Sequence, residues 1–160
     1  MKCGAIDIGS NAVRLLVSRV EEVDGCPQVQ KLAYYRVPIR LGADVFSTGA
    51  VSDKRMSELT KAMKAFWHLM DVHGIDWFRA CATSAMREAT NAKAVLKHVK
   101  KRANVSIEII SGDEEADLIF SNFNAADFDK DKDFLYIDVG GGSTELTLIC
   151  LLYTSDAADD

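Results

Sequence analysis

The chain has 160 residues, of which 48% are hydrophobic and 27% are charged, and its formal net charge at pH 7 is −5. This composition is typical of a globular protein that buries a core, and the apolar runs are far shorter than the roughly 20 residues that cross a bilayer. Its weak charge offers no general attraction for nucleic acids or membranes, and its cysteines show no metal-ligand spacing, so we expect a reduced, cytoplasmic protein without nucleic-acid or membrane partners.

The first 40 residues predict three strands that follow one another closely. The strands cover residues 3–9, 12–20 and 29–40, and a turn-forming segment separates the second from the third. Strands at such close spacing form an antiparallel meander. Residues 41–52, which contain two glycines, are predicted to be a loop.

The middle of the chain alternates helices and strands. Ser52 is a suitable N-cap for a helix that extends through Met70, because its apolar residues recur at helical spacing. We expect that apolar stripe to be core: Met56, Leu59, Met63, Phe66, Trp67 and Met70. The elements predicted after it are strand 77–83, helix 91–103 with a basic outer face, strand 105–110, helix 111–123, a charged linker at 127–133, and strands 134–138 and 143–149. The order βββαβαβα, followed by two strands, indicates an α/β fold with a mixed sheet covered by helices.

The last eleven residues, 150–160, do not continue this pattern. Their sequence, "CLLYTSDAADD", resembles the forward translation of a transposase sequencing adapter, and we treat it as a non-native tail. Without its three aspartates the chain has 19 basic and 21 acidic residues, a formal charge of −2.

One short pattern occurs twice, at residues 5–9 and 136–140: an apolar residue, Ile, Asp, an aliphatic residue and Gly. Glycine at a strand end lets the backbone turn several N–H groups towards one point, which suits phosphate oxygens. An aspartate just before the turn can hold a divalent cation directly or through water. The candidate phosphate-binding residues are Gly9, Ser10, Asn11, Gly140, Gly141, Gly142 and Ser143, and the candidate cation ligands are Asp138 and Asp7. The alternative is a pair of tight hairpins that each carry an aspartate for local reasons.

The two loops resemble those of the actin, hexokinase and sugar-kinase superfamily. Four ordered segments, "AIDIGSNAVRLL", "ATSAMREA", "IEIISGDEEADLIF" and "IDVGGGSTEL", resemble one family within it, the exopolyphosphatases and guanosine pentaphosphate phosphohydrolases (Ppx/GppA). This resemblance spans residues 4–149 and implies an actin-like ATPase (ribonuclease H-like) fold. It implies a first domain at 1–124, a linker and the truncated start of a second domain at 125–149, and an active site between the two domains.

The resemblance also implies residue roles. Glu115 matches the general base that activates water, while Glu145 and Asp138 match acidic positions around the metal and the reacting phosphate. Arg87 matches an arginine that anchors phosphate. Asp117 replaces a residue that is basic in many family members, which leaves the preference for long polyphosphate open.

The function implied is release of terminal phosphate from inorganic polyphosphate or guanosine pentaphosphate, with Mg²⁺ as cofactor and a homodimer as the full-length form. The alternatives are an actin-like kinase that transfers phosphate from ATP to a small acceptor, and a non-catalytic nucleotide-binding switch. We expect the chain itself to fold in its first domain only and to have little activity, because two strands are too few to bury a second core.

Overall fold

A five-stranded mixed sheet forms the centre of the molecule. The computed structural model describes residues 1–121 and 134–149. The strands are β1 (Lys2–Ile8), β2 (Val13–Val23), β3 (Cys26–Val37), β4 (Trp77–Ala82) and β5 (Glu108–Ile109), in the spatial order β3-β2-β1-β4-β5. β1, β2 and β3 pair antiparallel, whereas β4 is parallel to both β1 and β5. The predicted meander and mixed sheet are therefore confirmed.

The helices of the described residues are α1 (Leu41–Thr48), α2 (Asp53–His73), α3 (Ser84–Glu88), α4 (Ala92–Ala103) and α5 (Gly112–Phe120). α2 begins where predicted, since the Ser52 side chain accepts a hydrogen bond from the Arg55 N–H (3.3 Å). A second, antiparallel sheet consists of β6 (Phe134–Val139) and β7 (Thr144–Ile149). The predicted linker at 127–133 and the tail at 150–160 lie outside the described residues. No helix of the described part is long and apolar enough to cross a bilayer.

α2 and α4 cover one face of the five-stranded sheet. The buried cluster on this side includes Ile6, Ile8, Met63, Phe66, Val95 and Val99. Alternation along β1 directs Cys3, Ala5 and Asp7 to the opposite face, and these residues line a cleft. The helices thus supply the core, while the other face of the sheet is available to a site.

The predicted apolar stripe of α2 is confirmed except at one position. Leu59, Met63, Phe66 and Met70 are buried, and Met56 is half-buried and packs against the same core. Trp67 is 37% exposed, and its ring makes an edge-on contact with Phe78 at a centroid distance of 6.2 Å. Counting Trp67 among the core residues was therefore wrong, because it lies at the edge of the buried face.

Three other predictions about elements need correction. Residues 41–52 contain the helix α1. The residues that flank it, Arg40 and Gly49, both have a left-handed backbone conformation. The short helix α3 follows β4, where only the strand end was predicted. The strand predicted at 105–110 is reduced to the two residues of β5.

Candidate active site

The two glycine loops have the same construction. Ile8 pairs with Val13, and Val139 pairs with Thr144, so four residues form each loop. The Gly9 N–H donates to the Ala12 carbonyl at 3.1 Å, and the Gly140 N–H donates to the Ser143 carbonyl at 2.8 Å. The sequence repeat is thus also a repeat of loop length and hydrogen bonding.

The second loop packs directly against the first. The Asn11 side chain fills the space beside Gly141, where an added Cβ would lie 2.7 Å from the Asn11 Cγ. An added Cβ at Gly142 would overlap the ring of Phe46 and lie 2.7 Å from the Ser10 hydroxyl oxygen. Glycine at these two positions is what allows the loops to approach so closely.

A cleft with a volume of about 880 Å³ lies beside this contact. It is bounded by both loops, by the open face of the sheet and by α5. The predicted site residues that line it are Asp7, Gly9, Ser10, Asn11, Glu115, Asp138, Gly140, Gly141 and Ser143. Gly142 and Arg87 do not line it: Gly142 lies against Phe46, and the Arg87 guanidinium contacts Glu115.

Hydroxyl groups at the end of β4 complete one wall of the cleft. Parallel pairing of β1 and β4 places their carboxyl ends together, and the Thr83 N–H donates to the Ile8 carbonyl (3.2 Å). The Ser84 and Ser10 hydroxyls form a buried hydrogen bond of 2.8 Å. Thr83 and Ser84 line the cleft but were not among the predicted site residues. Their position directly after a strand was the available signal.

The two adjacent glutamates at the start of α5 have different environments. Glu115 lines the cleft and is mostly buried, with 19% of its side chain exposed. Glu114 instead forms an ion pair with Arg79 at 2.7 Å, and Arg79 also binds Glu108 at 2.9 Å. These two carboxylates raise the pKa of Arg79 above its ordinary value, first through the hydrogen bond with Glu114. Glu114 is thus tied to the sheet, and Glu115 is the glutamate available to the cleft.

Arg87 holds Glu115 in place. Its guanidinium donates to the Glu115 carboxylate at 2.8 Å and to the Ile110 carbonyl at 3.0 Å. α3 supplies the arginine and α5 supplies the glutamate, so this ion pair joins the two helices. Arg87 therefore contacts the candidate base, and its predicted role as a phosphate anchor stays a prediction.

The candidate cation ligands, Asp7 and Asp138, occupy equivalent positions but differ in their neighbours. Asp7 forms an ion pair with Arg14, the residue opposite it, and this hydrogen bond raises the pKa of Arg14. The residue opposite Asp138 is Glu145. In the described part of the chain, no lysine or arginine forms an ion pair with Asp138. A second acidic residue at the register position opposite Asp138 favours a cation at this position.

A cation there would need further ligands. Within residues 1–121 and 134–149, no group of three His, Cys, Asp or Glu residues could hold a metal ion. Mg²⁺ usually binds one or two carboxylates and takes its remaining oxygens from water and substrate phosphate. The residues around Asp138 therefore fit Mg²⁺ that binds together with a phosphate, rather than a closed protein site.

Comparison with known proteins gives consistent matches. The Ppx/GppA phosphatase family matches residues 16–154. A bifunctional 3-dehydroquinate synthase/phosphatase of Fusobacterium nucleatum is 34% identical over 151 residues, which cover 90% of this chain and 22% of that protein.

Two solved structures are similar over nearly the entire chain. The Ppx/GppA family member of Aquifex aeolicus matches 94% of this chain and 47% of its own, with a TM-score of 0.77 and 29% identity. An exopolyphosphatase from Cytophaga hutchinsonii matches 94% of this chain and 47% of its own, with a TM-score of 0.79 and 28% identity. The predicted actin-like (ribonuclease H-like) α/β fold is confirmed. The chain spans about half the length of these solved relatives.

Proposed function

The chain belongs to the Ppx/GppA phosphatase family, and on that premise we propose that the complete protein hydrolyses terminal phosphoanhydride bonds. Its proposed substrates are inorganic polyphosphate and guanosine pentaphosphate, and its proposed full-length form is a homodimer. The observation that carries this proposal is the position of Glu115, in a cleft whose other walls include both glycine loops. A carboxylate beside two groups of phosphate-binding N–H donors suits the attack of water on a phosphate.

The proposed reaction is direct transfer of the terminal phosphoryl group to water. The water oxygen forms a bond to the terminal phosphorus, the bridging P–O bond breaks, and the shortened substrate leaves with the bridging oxygen. Glu115 orients the water and accepts its proton. The ion pair with Arg87 fixes the position of that carboxylate.

The glycine loops bind the phosphate oxygens in this proposal. The backbone N–H groups of Ser10, Asn11, Gly141 and Ser143 belong to the loops on the cleft wall. They supply hydrogen bonds without adding side-chain bulk at the Gly141 position. The Ser10–Ser84 hydrogen bond keeps the first loop fixed relative to β4.

Asp138 is the proposed principal protein ligand of Mg²⁺, with Glu145 opposite it and Asp7 as a weaker candidate. A bound Mg²⁺ supplies positive charge that neutralises the phosphate oxygens. Asp117, the unusual acidic residue, is exposed on α5 and does not line the cleft. An effect of Asp117 on substrate choice would therefore act on substrate parts outside the cleft.

The test replaces each glutamate of the adjacent pair in the complete protein. We expect Glu115→Gln to lower phosphate release by about 10²–10⁴-fold, the usual contribution of a general base. The matched control Glu114→Gln removes the same charge one residue away and should lower the rate by less than about fivefold, since Glu114 does not line the cleft and its carboxylate is bound by Arg79. Long polyphosphate, guanosine pentaphosphate and ATP with acceptors are the substrates to compare. Unchanged release by Glu115→Gln would reject the mechanism, and ADP formation that depends on an acceptor would indicate a kinase.

A further inference from the structure

The outer faces of α2 and α4 carry a concentration of lysines. These helices cover the face of the sheet opposite the cleft, and, besides Lys54 in the first turn of α2, six of their lysines are exposed. We call this group the lysine surface, and it consists of Lys61, Lys64, Lys93, Lys97, Lys100 and Lys101. The chain as a whole is acidic, with a net charge of −5, so its positive charge is distributed unevenly.

Few acidic residues lie beside the lysine surface on its own helices, and Glu58, three residues before Lys61, forms its ion pair with Arg55. α4 contains no Asp or Glu, and α2 contains none between residues 59 and 70. In the part of the chain that the structure describes, none of the six lysines forms an ion pair. Interaction with the helix dipole accounts for Lys100 and Lys101 in the last turn of α4. It does not account for the other four.

The two helices present their lysines side by side. The Asn91 amide NH₂ donates to the Val51 carbonyl at 2.8 Å, and the Val51 N–H donates to the Asn91 side-chain oxygen at 3.0 Å. These bonds hold the N-terminal ends of α2 and α4 together. Lys93 and Lys101 are about 12 Å apart along the helix axis, and packed helices lie about 8–10 Å apart. Successive lysines of α4, from Lys93 to Lys97 and from Lys97 to Lys100, are about 6 and 4.5 Å apart along the axis, which is less than the Debye length of about 8 Å at physiological ionic strength. The positive fields of neighbouring lysines therefore overlap along the helix.

We propose that the lysine surface binds the portion of an inorganic polyphosphate chain that extends beyond the cleft. This inference rests on the proposed function for the identity of its ligand. A flexible chain with a negative charge on every unit matches a field made of mobile ammonium groups, each of which binds phosphate as a point charge.

A nucleic acid fits the same surface less well. Proteins that bind single strands combine positive charge with aromatic side chains on which bases stack. α4 contains no Phe, Tyr or Trp, and the exposed Trp67 ring of α2 is in contact with Phe78. The lysine surface thus supplies charge without a stacking platform, which matches a polyanion that has no bases.

The test measures binding of long-chain inorganic polyphosphate to the 160-residue chain by titration at low and at physiological salt. The variant Lys97→Gln/Lys100→Gln/Lys101→Gln removes three charges of the lysine surface. Its matched control, Arg19→Gln/Lys31→Gln/Arg36→Gln, removes three charges on β2 and β3, of which Lys31 and Arg36 are exposed and Arg19 is half-buried and paired with Glu21. We expect about tenfold weaker binding for the first variant, less than about twofold change for the control, and weaker binding of all proteins as salt rises. Unfolding curves establish that both variants are folded.

Each outcome decides the proposal. Equal losses in both triple variants would show that only net charge matters, and would overturn it, as would absence of binding. Single-stranded DNA that binds as tightly and competes with polyphosphate would overturn the choice of ligand. The proposed function is tested separately, by the effect of Glu115→Gln on phosphate release in the complete protein. Binding through the lysines without hydrolysis rejects only the proposed function, whereas hydrolysis without a lysine effect rejects only the lysine surface.

Discussion

Asp7 and Asp138 show how one residue type meets different neighbours at equivalent positions of a repeated motif. Both precede a glycine loop, at equivalent register positions, but Arg14 faces the first and Glu145 faces the second. The guanidinium already neutralises Asp7. At Asp138 a like-charged residue occupies the opposing position, and that arrangement becomes favourable when a cation binds. The sequence repeat alone makes Asp7 and Asp138 equal candidates for a cation ligand, and their different neighbours favour Asp138.

We expect Asp138→Asn in the complete protein to raise the Mg²⁺ concentration for half-maximal phosphate release by about tenfold or more, as loss of a metal-site group typically does. Asp7→Asn, the matched control, removes the same charge from the first motif and should raise it by less than about threefold. Direct titration of both variants with Mn²⁺ in place of Mg²⁺ compares their metal affinities without turnover, and Asp138→Asn should again show the larger loss. A larger effect at Asp7 would contradict the assignment.

The residue types of the site could be predicted from sequence, but their pairing could not. Through its family resemblance, the "SGDEEA" segment made Glu115 the candidate base, because a motif records which residue types occur in which order. That Glu114 binds Arg79 while Glu115 binds Arg87 depends on how α5 packs beside β4 and α3. Ser84 was missed for the same reason, since its hydrogen bond with Ser10 joins residues 74 positions apart.

At the scale of elements, local signals explain which helices could be predicted. α2 has a side-chain N-cap at Ser52 and a long apolar period, and both can be recognised in the sequence. α1 begins after Arg40, which provides no side-chain cap, and its stability comes from burial of Leu41 and Val45. Because that burial is a tertiary effect, no local pattern indicated the helix.

Asp44 links these two helices and should make their stability depend on pH. Its carboxylate accepts hydrogen bonds from the Ser52 hydroxyl and N–H, and the Ser52 hydroxyl is the main cause of its lowered pKa. A lowered folded-state pKa adds stability above the unfolded-state pKa of about 4. This stability is lost as pH falls through the folded-state value.

We expect Asp44→Asn to reduce the free energy of unfolding by about 1 kcal/mol at pH 7, with a smaller difference from the parent as pH falls below about 4. Urea unfolding at several pH values measures both. Ser52→Ala removes the hydrogen-bond donor and the N-cap together, so it should also weaken the pH dependence. An Asp44→Asn variant whose deficit is the same at pH 3 and pH 7 would contradict this account.

At the scale of the molecule, α1 controls how the two sheets meet. Phe46 lies between Gly42 of its own helix and Gly142 of the second loop. The first loop is tied to the same helix, because the Gly42 N–H donates to the Ser10 carbonyl at 2.8 Å. The distance between the glycine loops therefore depends on a ring that does not line the cleft and that is 44% exposed.

This arrangement predicts compensation between Gly142 and Phe46. In the complete protein, Gly142→Ala places a methyl group against the Phe46 ring and the Ser10 hydroxyl, which forces the loops apart. We expect kcat/KM for phosphate release to fall by about tenfold or more, because small displacements of positioning groups are costly. Phe46→Ala removes the ring, so the double variant Phe46→Ala/Gly142→Ala should recover part of that loss.

The control for this cycle is Gly112→Ala. An added Cβ at Gly112 would enter open space, and the backbone there has no positive φ. Its kcat/KM should stay within about twofold of the parent. Residues in direct contact show coupling of about 0.5–3 kcal/mol in such cycles, which is enough to separate partial recovery from additive loss. If the double variant is as impaired as the two single losses combined, Phe46 does not set the approach of the loops, and the contact between Gly141 and Asn11 is the next one to vary.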